Sequence, residues 1–305
     1  MKANRLHPSQ QPTISPAKTV VRTKKIIVMS SEAAHSRKSR LTVPAGADPL
    51  AGGRASAPFP SASGSSAAAM PIWQYLTRLT DVRQMDVQSA LDQMKTLLSS
   101  RPQVVYKTAY YRKQTKNHWA RDDPAFVALQ GLFLLIASVA YSVAFRITLS
   151  GAISFILYTV VWNWIGLGCI LATLCREIAN RHLTAQTSST HVRQQVEWLY
   201  AFDIHCNSFF PVFVLLYGVQ FFLLPFVLGE GLLPLALSNI MYAGALSWYW
   251  YITHLGYRSL PFLSNTEVFL FPIAAVCLFL LVTLVGYPLG LGYNAARVMA
   301  RFYFM

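Results

Sequence analysis

Five long apolar runs fill the last 60% of the chain: Phe126–Phe145, Ala152–Leu174, Asn207–Leu228, Leu232–Ile252 and Val268–Pro288. Each holds about 20 residues, and at about 1.5 Å per residue that length crosses a hydrocarbon core of roughly 30 Å. Charges fall almost entirely in the gaps: Arg146 closes the first run and Arg176-Glu177 the second. A helical bundle in water keeps a charged face on each helix. These runs have none, so the pattern predicts an all-α polytopic membrane protein with about five transmembrane helices, each satisfying its own backbone. One joint stays ambiguous. Leu223–Leu237 contains Pro225, Gly229, Gly231 and Pro234, which fits either a turn between two full spans or a re-entrant hairpin.

Ahead of the spans the period changes. Val87, Ala90, Leu91, Met94, Leu97 and Leu98 recur at helical spacing opposite Gln88, Asp92 and Lys95. This predicts an amphipathic juxtamembrane helix from Thr80, with Thr80 or Asp81 as its cap and Pro102 as its stop. Such a helix either lies in the bilayer interface or packs on the bundle. Basic and aromatic residues then alternate from Tyr106 to Trp119. Lys and Arg favour anionic headgroups, and Tyr and Trp favour the interface. The stretch reads as a membrane-entry anchor or as a surface for a phospholipid headgroup or a partner. Asp122 and Asp123 are expected to cap the first span, with Pro124 at its first helical position. Residues 1–69 are rich in Ser, Ala, Pro and Gly and hold one aromatic, Phe59, so they are expected to be disordered. Their basic, acid-poor start faintly resembles a transit peptide, and Met29 and Met70 are alternative starts. The organisation is thus a basic tail (1–69), a cytosolic juxtamembrane module (70–124) and a transmembrane bundle (125–305).

Charge supports this and adds an orientation. The chain has 305 residues, 12% charged and 54% hydrophobic, with net charge +14; an ordinary soluble domain is about 25% charged. The tail, module and bundle carry +8, +4 and +2. With the N-terminus in the cytosol, 13 basic residues between 70 and 305 face the cytosol and three (Arg146, Arg297, Arg301) face the far side. That asymmetry predicts a cytosolic N-terminus and a lumenal C-terminus.

Candidate chemistry concentrates between Val196 and Asn207, where Glu197, Asp203, His205 and Asn207 interrupt an apolar segment. Ionisable groups at membrane depth are costly and tend to be functional. On a helix Asp203 and Asn207 share a face and His205 points elsewhere. With Asn163 they form the expected intramembrane polar set, whose default role is bonding between helices. The alternative role is lipid or ion translocation. No HxxxH, CxxC or ExxH spacing specifies a metal, no cofactor motif is present, and no GxSxG, Walker or HExxH signature appears. A lipid-headgroup enzyme would have to use His118, Asp122, Asp123 or His205. Gly166-Leu167-Gly168 and Gly290-Leu291-Gly292 are expected points of helix contact, and Cys175 is a candidate for palmitoylation.

Three strings are more specific: Arg83-Gln84-Met85-Asp86, Tyr111-Arg112-Lys113-Gln114-Thr115-Lys116 and Trp119-Ala120-Arg121-Asp122-Asp123-Pro124-Ala125-Phe126. Together with Glu197-Trp198, Tyr200–Asn207 and Leu255–Leu263, they resemble the uncoordinated-fifty family of eukaryotic Golgi membrane proteins over about residues 73–305. The resemblance implies five spans, a cytosolic N-terminus and residence in Golgi membranes, with the endoplasmic reticulum as a second site. It implies a role in vesicular trafficking, including retrograde traffic and delivery of membrane-protein cargo, and a link to an Arf guanine-nucleotide exchange factor. It also implies RNA binding, which only the basic module would supply. It carries no catalytic residues. On this reading Arg83, Gln84, Asp86, Tyr111, Arg112, Lys113, Lys116, Trp119 and Arg121 are the expected docking residues for a partner or for anionic membrane lipid.

Overall fold

The computed structural model describes residues 77–79, 85–185 and 194–304; among them every regular element is a helix, and Thr184 and Leu263 form one isolated bridge. The expected all-α architecture is therefore the one that forms. The tail 1–69, Thr80, Asp81, Arg83 and Gln84 lie outside the described residues.

The juxtamembrane helix α1 (Val87–Leu97) is shorter than the pattern predicts. Met85 and Asp86 are not helical, and Asp86 is the cap, its carboxylate accepting the Ser89 N–H at 2.9 Å. Ala90, Met94 and Leu97 are buried, while Val87, Leu91 and Leu98 remain exposed. The inward stripe is thus narrower than the hydrophobic one. The helix also stops before Pro102, which instead leads into α2 (Val104–Lys116). Asn117 ends α2 at φ 60°, a left-handed position that Asn tolerates, and its N–H bonds the Lys113 carbonyl.

Among the described residues four helices are long and apolar enough to cross a membrane: α3 (Ala125–Ala144), α4 (Leu149–Leu183), α5 (Trp198–Val227) and α7 (Thr266–Val285). Between the last two lies α6 (Leu232–Arg258), whose 27 residues reach about 40 Å. Ser, Asn, Tyr and His dilute its hydropathy, but those groups meet partners inside the protein. Asn239 donates to Thr283 Oγ1 at 3.1 Å and to the Tyr293 carbonyl at 2.9 Å. Thr253 pairs with Ser208 at 3.0 Å, and His254 Nδ1 donates to the Thr266 carbonyl at 2.9 Å. Helix α6 packs on α5, α7 and the last helix, α8 (Ala295–Phe304). It corresponds to the fourth of the five expected runs but does not reach the hydropathy of the four spans, one fewer than the sequence predicts. Leu228–Gly231, the joint left ambiguous by the sequence, connects helices of 30 and 27 residues.

Several boundaries move for the same reason. Helix α5 starts at Trp198 rather than Asn207, because its polar first turns find partners within the protein. Helix α8 is a short addition that the apolar runs do not signal. Parts of α4 (Tyr158–Gly166 and Ala179–Leu183) and of α5 (Val214–Val219) have wide π-helical turns. Pro211, three residues ahead of the last, lacks the N–H that would bond the Asn207 carbonyl, which loosens the helix there. Outward faces are apolar: on α7, Thr283 is the one buried residue of Phe271–Val285. Gly168 packs against the His205 ring as a helix contact, but Gly290 (φ +74°) and Gly292 shape the turn after α7 instead of a helix interface. Cys175 is buried, which removes it as an accessible acylation site.

Candidate functional site

The loop from Asn117 to Pro124 seats the juxtamembrane module on the start of α5. Three successive backbone N–H groups meet carboxylates: Trp119 and Ala120 donate to Glu197 at 3.1 and 3.4 Å, and Arg121 donates to Asp203 Oδ2 at 2.6 Å. The Arg121 side chain donates to Asn207 Oδ1 and lies 4.2 Å from the Phe126 ring centre. Asp203 and Asn207, one helical turn apart on α5, thus hold the two ends of one buried arginine. Charge-assisted bonds of this kind are roughly twice as strong as neutral ones.

The rest of the intramembrane polar set does not join them. His205 Nε2 donates to the Trp164 carbonyl at 3.1 Å, in a π-helical turn of α4, and Nδ1 accepts from the Tyr249 hydroxyl at 2.9 Å. Asn163 donates to Tyr303 on α8 at 2.7 Å. These are bonds between elements, the default reading of the sequence, and they do not line one path. Among the described residues no group of three or more His, Cys, Asp or Glu side chains is placed to hold a metal ion.

The expected docking residues divide sharply. Trp119 and Arg121 are interior, 3% and 5% exposed, and so present no surface. Trp119 sits among Tyr110, Tyr200 and Phe262, with ring centres 6.2–6.3 Å apart. Arg112 donates to the Trp119 carbonyl at 3.2 Å, and its burial lowers its pKa, against the pull of the Asp203 carboxylate. Lys113 donates to the Asn117 carbonyl at 2.8 Å and stands 3.9 Å from Glu197. Asp86 spends its carboxylate on α1 and donates its own N–H to Asp123 Oδ2 at 2.8 Å. What remains outward is Tyr111, with Lys116 and, beyond the expected set, Lys107 and Tyr110.

The capping acids also differ from expectation in detail. Asp123 accepts the Ala125 N–H at 2.9 Å, and Pro124 is the cap residue itself, one place before the helix. Asp122 does not cap; it pairs with Lys116 and with His118 Nε2 at 2.6 Å. Burial raises its pKa, but the bonds from Lys116 and His118 outweigh that and hold it below the usual 3.8. Sequence reasoning missed Glu197 as the second anchor of the loop. Its signal was present, an acid at the mouth of an apolar run, but its partners are backbone groups 77–78 residues away.

Residues 75–304 match the UNC-50 family. The protein unc-50 homolog of Dictyostelium discoideum is 40% identical over 245 residues, covering 80% of this chain and 92% of that one. The Homo sapiens homolog is 38% identical over 232 residues, covering 76% and 86%. The Danio rerio homolog is 37% identical over 234 residues, covering 76% and 87%. No solved structure matches the chain. A match that runs from residue 75 through α8, with relatives 37–40% identical over most of both chains, leads to one conclusion: the chain belongs to the UNC-50 family.

Proposed function

We propose that this protein is a non-enzymatic membrane component of vesicular traffic in the Golgi and endoplasmic reticulum, acting in retrograde traffic and membrane-protein delivery. Its cytosolic module docks an Arf guanine-nucleotide exchange factor, with the N-terminus cytosolic and the C-terminus lumenal. The observation that carries the docking is the division of α2: Val105, Tyr106 and Ala109 are buried, while Lys107, Tyr110, Tyr111 and Lys116 stay outward, Tyr111 at 67% exposure. Tyr106 donates to the Ile252 carbonyl at 3.3 Å, which fixes the helix on α6. Exposed tyrosines are among the residue types enriched at interface hot spots, and a helix already fixed on its neighbour lowers the cost of binding. Anionic headgroups meet the same cations where the module reaches the membrane surface.

The test is proximity labelling in cells from the N-terminus of the full chain, comparing wild type with a Lys107→Glu, Tyr111→Ala variant. The expected result is recovery of an exchange factor, reduced at least about fivefold in the variant, the effect of losing about 1 kcal/mol of binding. Unchanged recovery rejects the docking surface. Recovery abolished by ribonuclease also rejects it and points to RNA.

A further inference from the structure

At the end of α3 away from the Arg121 seat, helices α3, α4, α5 and α8 surround a half-enclosed cavity of about 220 Å³. Phe155, Phe209 and Tyr217 supply much of its wall. Two walls are π-helical: Tyr158–Gly166 contributes Asn163, and Val214–Val219 contributes Tyr217. Such wide turns are rare and recur at functional sites; here two of them, from different helices, meet at one cavity.

Two of the polar groups in the wall are used internally. Tyr141 donates to the Leu216 carbonyl at 3.0 Å, and Asn163 is bonded to Tyr303. Gln220 is different. It is 5% exposed and lines the cavity; its amide is hydrogen-bonded to Tyr242, while its Oε1 has no partner. An unpaired buried amide oxygen is destabilising until a donor reaches it. No Lys, Arg, His, Asp or Glu lines the cavity, so a phosphate or ammonium group would find no counter-charge. A lone acceptor in an oily, uncharged cavity suits a ligand with one donor at the end of an apolar body.

We propose that this cavity binds the hydroxyl end of a neutral lipid, the hydroxyl donating to Gln220 Oε1. At about 30 Å³ per heavy group the cavity holds roughly seven, which is the hydroxyl and its nearest carbons. The remainder of the lipid leaves by the open side. The site is independent of the docking reading and stands or falls without it.

The experiment uses the full chain in lipid nanodiscs with a photoreactive diacylglycerol and its O-methyl ether, which keeps the shape and lacks the donor. Labelling by the hydroxyl probe is expected to map to 209–220 and 296–304. It should fall about three- to tenfold in Gln220→Leu, the worth of one hydrogen bond, and be lost in Ala300→Phe, which fills the cavity from α8. The ether should label weakly throughout. Competition by unlabelled diacylglycerol, ceramide or cholesterol, all hydroxyl-bearing, then distinguishes the source. Equal labelling by the two probes, indifference to Gln220→Leu, or labelling confined to the lipid face of α7 overturns the proposal. If Gln220→Leu does not fold, the hydroxyl-versus-ether comparison on wild type decides.

Discussion

Asp203→Ala is the sharpest test of the loop seat. The substitution removes the acceptor of a buried backbone N–H and a buried carboxylate whose charge acts on the Arg121 side chain, leaving that side chain to Asn207 and the Phe126 ring. A hydrogen bond to a charged group contributes about 1.5–3 kcal/mol, and breaking a buried charged arrangement by removing one member costs about 3–5 kcal/mol. The expected loss is therefore about 3–5 kcal/mol. At roughly 2–4 °C per kcal/mol for a body of this size, the unfolding midpoint falls by about 6–20 °C. Asn207→Ala should cost about 1.5–3 kcal/mol, and the double variant less than the sum, because both side chains hold one arginine. Adding Arg121→Met to Asp203→Ala should restore part of the loss, since the stranded cation is gone. The assay is size-exclusion detection of the heated, detergent-solubilised full chain, with tryptic cleavage at Lys116 and Arg121 as a second reading of loop release. Wild-type midpoints for Asp203→Ala, or a further loss on adding Arg121→Met equal to its loss alone, would refute the reasoning.

Four other outcomes are expected. Folded Asp122 has a depressed pKa, so its contribution is present above about pH 4 and is lost as pH falls through the lower folded value; Asp122→Asn should flatten the acid limb of a stability-versus-pH series below about pH 4 and leave it unchanged in shape above. Trp119→Ala, emptying a ring cluster of four, should cost about 3–5 kcal/mol by the same melting assay. Gly168→Ala should destabilise by about 1–3 kcal/mol, because a Cβ there overlaps the His205 ring, whereas Gly244→Ala meets nothing within 4 Å and should gain up to about 1 kcal/mol of helix propensity. Glu230, 94% exposed in its side chain at the α5–α6 turn, should as Glu230→Cys be labelled by an impermeant thiol reagent only after vesicles of cytosol-out orientation are opened.

What the sequence made legible, and what it did not, follows from where each side chain finds its partner. The apolar runs located every long helix because lipid demands the same thing of each residue on a spanning face, whatever the rest of the chain does. The i, i+4 spacing of Asp203 and Asn207 gave their shared face for the same local reason. Arg121 as their target was invisible, since it lies 82–86 residues away and reads as one more cation in a basic stretch. Trp119 and Arg121, expected as docking residues, turned out interior, because a helix start with two carboxylates supplied the bonds that let a polar loop be buried. Helix α6 shows the reverse case. Its Asn239, Thr253 and His254 argue against a membrane span when read alone, and each is bonded to another element. Polarity along this chain therefore marks contacts between elements more than it marks water. By that rule the informative atom is the buried polar one left without a partner, and Gln220 Oε1 in the cavity of α3, α4, α5 and α8 is one of these.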